Sequence, residues 1–346
     1  MEYSRNKIKK AGKVLRNKED FTPEKISFAE DALQYWRSLH EDVLNDFYSV
    51  VYTEVMAINT NAYVVQRLKR SPSIIAKLKR QENNQLTTMQ DIVGIRAIMS
   101  NLTEVYRLRE KLKKATNPHL FEKYDNYMTN PQKSGYRSIH LIYKYNSPKD
   151  PLKHNLLIEI QLRTELQHSW ATAVETMGTF LGTNLKFGEG QPKWLKYFAL
   201  TSSAFSFLED TPQVPQHSHL SQNEVYKQVL YEFRYNEITK CLTGFASAAK
   251  HIIEKRIKNE YYYLVRLSIK ENKVFIISYS KEEFSKANTK YSALEREYSN
   301  DSKTEVVLVS TDSIDELKSG FPNYFLDTSK FLSNMEKIRI GYSVLK

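Results

Sequence analysis

Hydrophobic positions in the first part of the chain recur at the spacing of an α-helix. After Thr22, which suits an N-cap and is followed by a proline in the first turn, apolar residues lie three or four positions apart as far as Phe47. The pattern predicts largely helical structure from residue 22 to about residue 80. Residues 1–20 are predicted to be a basic segment that is helical beyond Ser4.

The middle of the chain changes to short apolar runs of the strand type. Residues 91–99, 137–145 and 156–163 are predicted strands, and residues 103–115 a helix. A helical pattern resumes after Arg163. Strand, helix, strand, turn and strand in this order indicate a mixed sheet flanked by helices, in a protein of the α+β class.

The last part of the chain predicts a second, smaller α+β unit. Residues 184–224 show little pattern and contain Pro212 and Pro215, which indicates a linker or hinge. The elements predicted beyond it are a helix over about 224–258, a hairpin of strands 261–269 and 273–279, a helix over 281–298, a strand over 305–310 and a helical tail.

Composition favours a partner that is a polyanion. Lys and Arg number 51 against 40 for Asp and Glu, a net charge of +11, which suits nucleotides, RNA, DNA or anionic lipid. The basic N-terminus lacks the apolar stretch of a signal peptide, and no run of about 18 apolar residues occurs. Cys241 is the only cysteine, which excludes an internal disulfide and a zinc site of several cysteines. We therefore expect a cytoplasmic protein.

Residues 67–80 are dense in cations. They include Arg67, Lys69, Arg70, Lys77, Lys79 and Arg80, together with the hydroxyls of Ser71 and Ser73. Arginine provides forked contacts and a flat stacking surface, and lysine provides a point charge, so the segment could hold a triphosphate. A solvated basic face of a helix would have the same composition.

Asp91 and Arg96 bracket an otherwise apolar strand. Their spacing places them on opposite sides of a straight strand, unless the strand bends or ends near Gly94. Asp91 could ligate magnesium and Arg96 could stack on a base. The alternative is a strand-end cap with a surface cation.

Polar side chains alternate along the strand that contains Glu159, Gln161 and Arg163. Alternation places the three on one face, with apolar residues on the other, as in a polar cleft backed by a core. A salt-bridged sheet surface is the alternative. The cleft is favoured because Glu159 and Asp91 together supply the two carboxylates that a magnesium–nucleotide site needs.

Residues 133–140 combine a glycine with polar and aromatic side chains. Gly135 lets a loop pass close to a nucleotide, and Tyr136 offers a ring for base stacking. Arg137 and His140 could meet phosphates. An ordinary turn that leads into a strand is the alternative.

The N-terminal segment carries a cluster of cations. Within its first eighteen residues it contains Arg5, Lys7, Lys9, Lys10, Lys13, Arg16 and Lys18, against Glu2 alone. Such a patch favours RNA, because it supplies phosphate affinity that weakens steeply with salt. A solubilising tail is the alternative.

Taken in order, residues 67–80, 91–96, 133–140 and 159–164 resemble the synthetase domain of the RelA/SpoT family. The resemblance covers roughly residues 25–180 and implies a nucleotidyltransferase-like mixed sheet. It also implies a pyrophosphokinase, in which a ribose 3′-hydroxyl attacks the β-phosphate of ATP and AMP leaves. Such a reaction needs aligned substrates, cations and Mg²⁺, but no protein nucleophile.

On the ATP side, the resemblance implies a stacking pair, phosphate contacts and a metal pair. These are Arg67 and Arg96 for the adenine, Lys69, Ser73 and Lys77 for the phosphates, and Asp91 and Glu159 for magnesium. Glu159 is also the implied acceptor of the proton from the attacking hydroxyl.

On the acceptor side, the resemblance implies that Tyr136 stacks on the base. The other implied acceptor contacts are Lys133, His140, Gln161, Arg163 and His168. His168 stands where synthetases that act on GDP or GTP often carry an aspartate, which leaves two acceptors open. Guanosine nucleotides would give (p)ppGpp, whereas the 3′ CCA end of tRNA, which the basic N-terminus favours, would lose its capacity for aminoacylation. A non-catalytic module that binds RNA or senses phage is a third possibility.

The C-terminal unit resembles that of CapRel, a fused toxin–antitoxin of the toxic small alarmone synthetase group. The resemblance rests on residues 307–310 and 321–327. It implies that Phe321 and Tyr324, in place of a Tyr-x-x-Tyr element, fold back on the ATP site, and that a phage major capsid protein relieves the block. Simple core packing of the two rings is the alternative.

These inferences divide the chain into four parts. They are a basic segment at 1–22, a pyrophosphokinase domain at 23–183, a hinge at 184–224 and an autoinhibitory, trigger-sensing domain at 225–346.

Overall fold

The computed structural model describes residues 3–81, 83–115, 118–235, 242, 250–255, 259–298, 301, 303–311 and 313–345. Within them, nine strands form one sheet in the order β3-β4-β5-β2-β1-β9-β7-β8-β6. The strands are β1 Tyr63–Leu68, β2 Val93–Met99, β3 Leu120–Asn126, β4 Ile139–Lys144, β5 Leu157–Thr164, β6 Lys250–Lys255, β7 Tyr262–Ser268, β8 Lys273–Tyr279 and β9 Thr304–Ser310.

The sheet is mixed, as predicted for an α+β protein. The pairs β2–β5 and β6–β8 are parallel, and every other pair of neighbouring strands is antiparallel. Strands β2, β4 and β5 lie where the apolar runs predicted them, and β7 and β8 form the predicted hairpin.

Helices cover both faces of the sheet. They are α1 Arg5–Arg16, α2 Pro23–Ser38, α3 Glu41–Met56, α4 Ser71–Arg80, α5 Leu102–Ala115, α6 Glu165–Leu181, α7 Pro192–Ser206, α8 Gln222–Tyr235, α9 Phe284–Glu297, α10 Ile314–Gly320 and α11 Ser329–Leu345. Helices α3 and α5 pack on one face of β1, β2 and β5, whereas α6 and α10 pack on the other. None of the described helices is long and apolar enough to cross a membrane.

The face under α3 and α5 is the apolar one. Val64, Ile95, Ile158 and Ile160 are buried there in the largest core of the protein. Alternation along each strand then directs the intervening polar side chains to the opposite face. The charged side chains Arg67, Arg96 and Glu159 therefore lie on the face that α6 and α10 cover.

The two halves of the sheet meet at a short joint between β1 and β9. Among the described residues, Gln66 pairs with Ser310 and Arg67 with Val309 there. The strands of the predicted second α+β unit thus continue the sheet of the first unit. The joint includes Arg67, one of the predicted ATP contacts.

Two strands lie inside stretches that were predicted to be helical. Strand β1 interrupts the predicted helical run over 22–80, since the β-branched pair Val64 and Val65 favours a strand. Strand β6 lies within the predicted helix over 224–258, of which α8 forms the first part. Residues 236–241 and 243–249, and with them Cys241, fall outside the described part of the chain.

The prediction of a linker over 184–224 is wrong for residues 192–206. These residues form α7, whose Trp194, Phe198 and Phe205 are buried against α6 and α11. Pro212 and Pro215, which suggested the linker, lie beyond the end of this helix. Pro192 occupies the first turn of the helix, where its missing N–H costs nothing.

The N-terminal segment is a packed helix and not a tail. Helix α1 buries Ile8, Ala11 and Leu15, and it packs against α2 and α4. Ser4 caps the helix, accepting a hydrogen bond from the backbone N–H of Lys7. The cations of α1 are therefore held in a fixed arrangement at the surface.

A buried ionic cluster links α9 to the first half of the protein. Arg37 of α2, which is fully buried, donates to the Glu295 carboxylate of α9 at 3.1 Å. Glu295 also accepts hydrogen bonds from the backbone N–H of Ser71 at 3.0 Å and from the Tyr291 hydroxyl at 2.5 Å. Because Ser71 begins α4, this contact connects the C-terminal unit to the helix that bears the predicted phosphate contacts.

We predict that Glu295→Gln lowers the free energy of unfolding by about 3 kcal/mol, because it leaves the Arg37 charge buried and unpaired. Urea unfolding of the full chain measures the change. Arg296→Gln is the matched control. Its ion pair with Asp31 at 2.9 Å joins the same two helices but is exposed, so its loss should cost at most about 1 kcal/mol. Equal effects of the two substitutions would contradict the importance of the buried cluster.

Candidate active site

Strand register places two of the predicted site residues in one row across the sheet. Arg67 of β1 pairs with Gly94 of β2, and Gly94 pairs with Glu159 of β5. Residues directly opposite each other point to the same face. Because Gly94 has no side chain, the space above it, between the side chains of Arg67 and Glu159, is open.

The next row on the same face brings together Val65, Arg96, Gln161 and His140. The two rows explain why the alternating pattern along β5 predicted a polar cleft. Gln161 donates to Glu159 at 2.6 Å, so the rows are also joined by a hydrogen bond.

Asp91 reaches the same face from outside the strand. It precedes β2, which begins at Val93, so strict alternation does not apply to it. Its two carboxylate oxygens accept from Lys69 at 2.8 Å and from Lys77 at 2.9 Å. Burial raises the pKa of Asp91, but the two lysines outweigh it and hold the pKa below its ordinary value. Asp91 is therefore ionised at neutral pH.

A cavity of about 690 Å³ contains both carboxylates and most of the predicted cations. The predicted residues that line it are Arg67, Lys69, Lys77, Asp91, Arg96, Tyr136, His140, Glu159 and Gln161. The charge of Glu159 acts to raise the pKa of Asp91, as expected for carboxylates that share a site. A cation between them would relieve that repulsion.

The donor set suits magnesium. Mg²⁺ is usually held by one or two carboxylates, with water and substrate phosphates completing its octahedron. Asp91 and Glu159 match that requirement. The open space above Gly94 leaves room for phosphates. No group of three or more His, Cys, Asp or Glu suited to a metal occurs among the described residues, so an all-protein metal cage is not formed by them.

Glu159 belongs to a charged network. His140 lies with its Nδ1 atom 2.9 Å from one Glu159 oxygen. Burial raises the pKa of Glu159, but His140 and the hydrogen bond from Gln161 outweigh it, so the pKa is well below its ordinary value. The carboxylate is thus ionised at neutral pH and available as a metal ligand.

Tyr136 extends the network away from the carboxylate. Its hydroxyl lies 2.7 Å from His140 Nε2 and accepts from Arg163 at 2.8 Å. Burial raises the pKa of Tyr136, but Arg163 and His140 outweigh it and bring it to about 7. Burial lowers the pKa of His140, but Tyr136 and Glu159 outweigh it and bring it to about 9.

Arg96 is covered by the C-terminal segment. It donates to the carbonyl of Gly320 at 3.1 Å, and its guanidinium lies 5.5 Å from the centre of the Phe321 ring. Burial and the nearby Arg163 lower the pKa of Arg96 to about 9. The surface that would stack on adenine thus faces an aromatic ring of the same chain.

Some predicted site residues lie beside the cavity. Ser73 lines an adjoining hollow of about 340 Å³, which also contains Arg67 and Tyr324. Arg163 is fully buried behind Tyr136 and Gln161 and donates to both.

Two predicted acceptor contacts lie outside the main cavity. His168 is buried, and its Nε2 atom lies 3.1 Å from the Ser319 carbonyl oxygen, so it contacts the C-terminal segment. Lys133 lines a separate hollow of about 560 Å³.

Four of the predicted RNA-binding residues are exposed on α1. They are Lys7, Lys9, Lys10 and Lys13. Arg16 is instead half-buried and donates to the carbonyl oxygens of Leu78 and Asn84, where it fixes α1 to the end of α4.

Sequence reasoning missed a cationic and aromatic wall of the cavity. Lys186 pairs with Glu175 at 3.1 Å and lies 4.8 Å from the centre of the Tyr136 ring. Arg80 lies 3.8 Å from the centre of the Phe187 ring. Lys186 and Phe187 fell within the predicted linker, which concealed them, although adjacent basic and aromatic residues were a usable signal.

Paired carboxylates and converging cations in one cleft are typical of a magnesium-dependent phosphotransferase. Residues 66–178 match the family model described as the region found in RelA / SpoT proteins. The match confirms that this part of the chain resembles the RelA/SpoT synthetase family, as the four motifs predicted.

Two similar proteins are described as GTP pyrophosphokinases, which are phosphotransferases. The chain is 29% identical over 136 residues to the GTP pyrophosphokinase YjbM of Bacillus subtilis, covering 39% of this chain and 61% of that protein. It is 29% identical over 140 residues to the GTP pyrophosphokinase YwaC of the same organism, covering 38% and 66%. The matched part thus spans less than two thirds of either relative.

Among solved structures, small alarmone synthetase 1 from Bacillus subtilis bound to its product pppGpp is similar at 23% identity and a TM-score of 0.43. The match covers 49% of this chain and 89% of that one.

We predict that one tyrosine of the full chain ionises at about pH 7, because Arg163 and His140 stabilise the Tyr136 phenolate. Ultraviolet absorbance of the phenolate during a pH titration detects it. Tyr136→Phe should remove the transition, and His140→Asn should move it to more alkaline pH, since the imidazolium charge is lost.

Tyr127→Phe is the control for this titration. Tyr127 contacts the Tyr136 ring edge-on, but burial raises its pKa, so its removal should leave the transition near neutral pH in place. A full chain whose tyrosines all ionise only near the ordinary value of about 10 would contradict the network.

Proposed function

We propose that this chain is an ATP-dependent pyrophosphokinase that transfers pyrophosphate to a ribose 3′-hydroxyl, most favourably at the 3′ CCA end of tRNA. The observation that carries the proposal is the location of Asp91 and Glu159 in one cavity with Arg67, Lys69 and Lys77. Transfer of this kind is accelerated by positioning and by charge neutralisation, which this set of groups supplies.

Each group has a role in the proposed reaction. Arg67 and Arg96 hold the adenine between them, and Lys69, Ser73 and Lys77 contact the phosphates. Asp91 and Glu159 would hold Mg²⁺, which neutralises charge on the phosphates when it is bound. Glu159 also accepts the hydroxyl proton, and its hydrogen bond from Gln161 and its pairing with His140 orient it for that task.

The acceptor is the least constrained part of the proposal. Exposed lysines on the fixed helix α1 favour RNA, because they form a persistent cationic surface. Blocking the CCA end of tRNA would stop translation. Because ATP and tRNA are the proposed substrates, we expect the protein in the cytoplasm. The alternative is synthesis of (p)ppGpp from GDP or GTP, which is favoured by the description of both relatives as GTP pyrophosphokinases.

We further propose that the C-terminal unit inhibits the enzyme. Gly320 lies so close to β1 that a Cβ atom there would be 2.2 Å from Val65 Cγ1, and this contact seats Phe321 beside Arg96. Tyr324 is buried against the hollow that contains Arg67. Adenine and the C-terminal segment would then compete for the same two arginines.

Release of the inhibited state requires the segment after β9 to leave β1. Among the described residues, β9 pairs with β1 at Gln66 with Ser310 and at Arg67 with Val309, and α10 also packs on β1. A ligand that binds the open form more tightly shifts such an equilibrium by its difference in affinity. The resemblance to CapRel supports a phage major capsid protein as that ligand and antiphage defence as the role.

We predict that Glu159→Gln lowers pyrophosphate transfer at least a hundredfold, because the amide neither accepts the proton nor carries a ligand charge. Incubation with ATP labelled in its β-phosphate, and with tRNA or GDP as acceptor, measures the transfer. Label at the CCA end supports the tRNA proposal, and label on the guanosine nucleotide supports the alternative.

Glu122→Gln on β3 is the matched control. Glu122 is exposed and pairs with Lys144 outside the cavity, so transfer should remain near that of the unsubstituted chain. If Glu159→Gln keeps full transfer, or if its cellular effect is unchanged, catalysis at this site is refuted and the non-catalytic reading is favoured.

We predict that Gly320→Ala raises transfer by the full chain, in the absence of any trigger, by roughly tenfold. The added methyl group collides with Val65, and overpacking of this kind costs about 1–3 kcal/mol. The initial rate of label transfer measures the release.

Ser319→Ala is the neighbouring control, because Ser319 contacts His168 through its carbonyl oxygen, which the substitution keeps. It should leave the inhibited rate unchanged. Unaltered or reduced transfer by the Gly320→Ala chain, with its fold intact by circular dichroism, would count against inhibition by this segment.

A further inference from the structure

The hollow lined by Lys133 is distinct from the one beside Ser73, and it lies next to the main cavity. We name it the lysine hollow, and its defining residues are Lys133, Lys186, Phe187, Lys196 and His217. Its volume is about 560 Å³, and it shares Lys186 and Phe187 with the main cavity. The two spaces are therefore neighbours, with Lys186 and the exposed Phe187 between them.

The charged residues that line the lysine hollow are cations. Lys133, Lys186 and Lys196 line it, and no Asp or Glu of the described residues does so. Burial lowers the pKa of His217, and the charges of His219 and Lys196 lower it further. Lys196 pairs with Glu232 at 3.2 Å but remains largely exposed, so it can turn to a phosphate.

An aromatic platform stands where the hollow meets the main cavity. Phe187 is 57% exposed, so part of its ring is accessible to a ligand. Arg80 lies 3.8 Å from the centre of the ring. A rigid ring between cations is the arrangement that binds unpaired bases, since each base stacks while its phosphate meets a lysine.

The rim of the hollow is held in place. The Gln216 side chain donates to the carbonyl oxygen of Lys133 at 2.8 Å, which ties the loop that carries Lys133 to the segment after α7. His217 in turn lies with its Nδ1 atom 2.9 Å from Ser203 Oγ of α7. The cations therefore converge on a pre-formed space and not on a loose loop.

We propose that the lysine hollow binds the unpaired nucleotides that precede the 3′-terminal nucleotide of an RNA acceptor. The terminal nucleotide occupies the main cavity at Tyr136, the preceding base stacks on Phe187, and its phosphate meets Lys133 or Lys196. This inference rests on the proposed function in that the acceptor is an RNA 3′ end. A free guanosine nucleotide leaves the hollow empty, so the hollow selects a polynucleotide over a mononucleotide.

The test compares two RNA hairpins that are identical except that one ends in an unpaired CCA tail. Both are 5′-fluorescent, and their binding to the full chain carrying Phe321→Ala, which uncovers the main cavity, is measured by anisotropy. The tail should increase affinity. Lys196→Glu and Phe187→Ala, each added singly, should reduce affinity for the tailed hairpin about tenfold, with little effect on the blunt one.

Affinity falls as salt rises, and Lys196→Glu should make this fall less steep for the tailed hairpin only. The slope of log affinity against log salt should become less negative by about one or more. Lys196→Arg keeps the charge and should restore the tail preference, which separates loss of a contact from loss of folding. Binding of ATP by the Lys196→Glu chain should equal that of its parent.

The two proposals fail differently. If labelled ATP marks the tailed RNA but the tail preference survives both Lys196→Glu and Phe187→Ala, the lysine hollow is overturned and the tRNA proposal stands. If label reaches only GDP or GTP and the tail adds no affinity, both are overturned.

Discussion

The parallel pairing of β2 with β5 determines where the chemistry takes place. Gly94 lies opposite Glu159 in that pair, and Asp91 enters the same space from the turn before β2. Register shifted by one residue would turn Glu159 into the apolar core under α3 and α5. This one alignment brings together the carboxylate pair, the open space above Gly94 and the cations of β1 and α4. Buried isoleucines on the opposite face hold the alignment in place.

The same sheet connects the candidate active site to the segment proposed to inhibit it. Strand β9 extends the sheet at Arg67, and the segment that follows it carries Phe321 over Arg96. The proposed inhibition would need no separate docking domain, because the covering segment follows directly from a strand of the sheet that bears the site. Away from the sheet, the cluster of Arg37 and Glu295 ties the C-terminal unit to the start of α4, so a rearrangement of that unit would reach the phosphate contacts directly.

Periodicity predicted the parts of the site that lie on one strand. Alternation along β5 placed Glu159, Gln161 and Arg163 on one face correctly, because a strand fixes that relation without reference to its neighbours. It could not show that Arg163 is buried by its partners. Strand β1 and the wall at Phe187 were missed for a related reason: both depend on packing between distant segments, and local signals there favoured a helix and a linker. The cover over Arg96 was expected only from a family resemblance, since no local pattern pairs residues so far apart.

A crystal structure of the full chain with Mg²⁺ and a non-hydrolysable ATP analogue tests the central claim most directly. We expect one metal ion in contact with both Asp91 and Glu159, and adenine between Arg67 and Arg96 with Phe321 displaced. Nucleotide bound elsewhere, or a metal ion that contacts neither carboxylate, would contradict the proposed site.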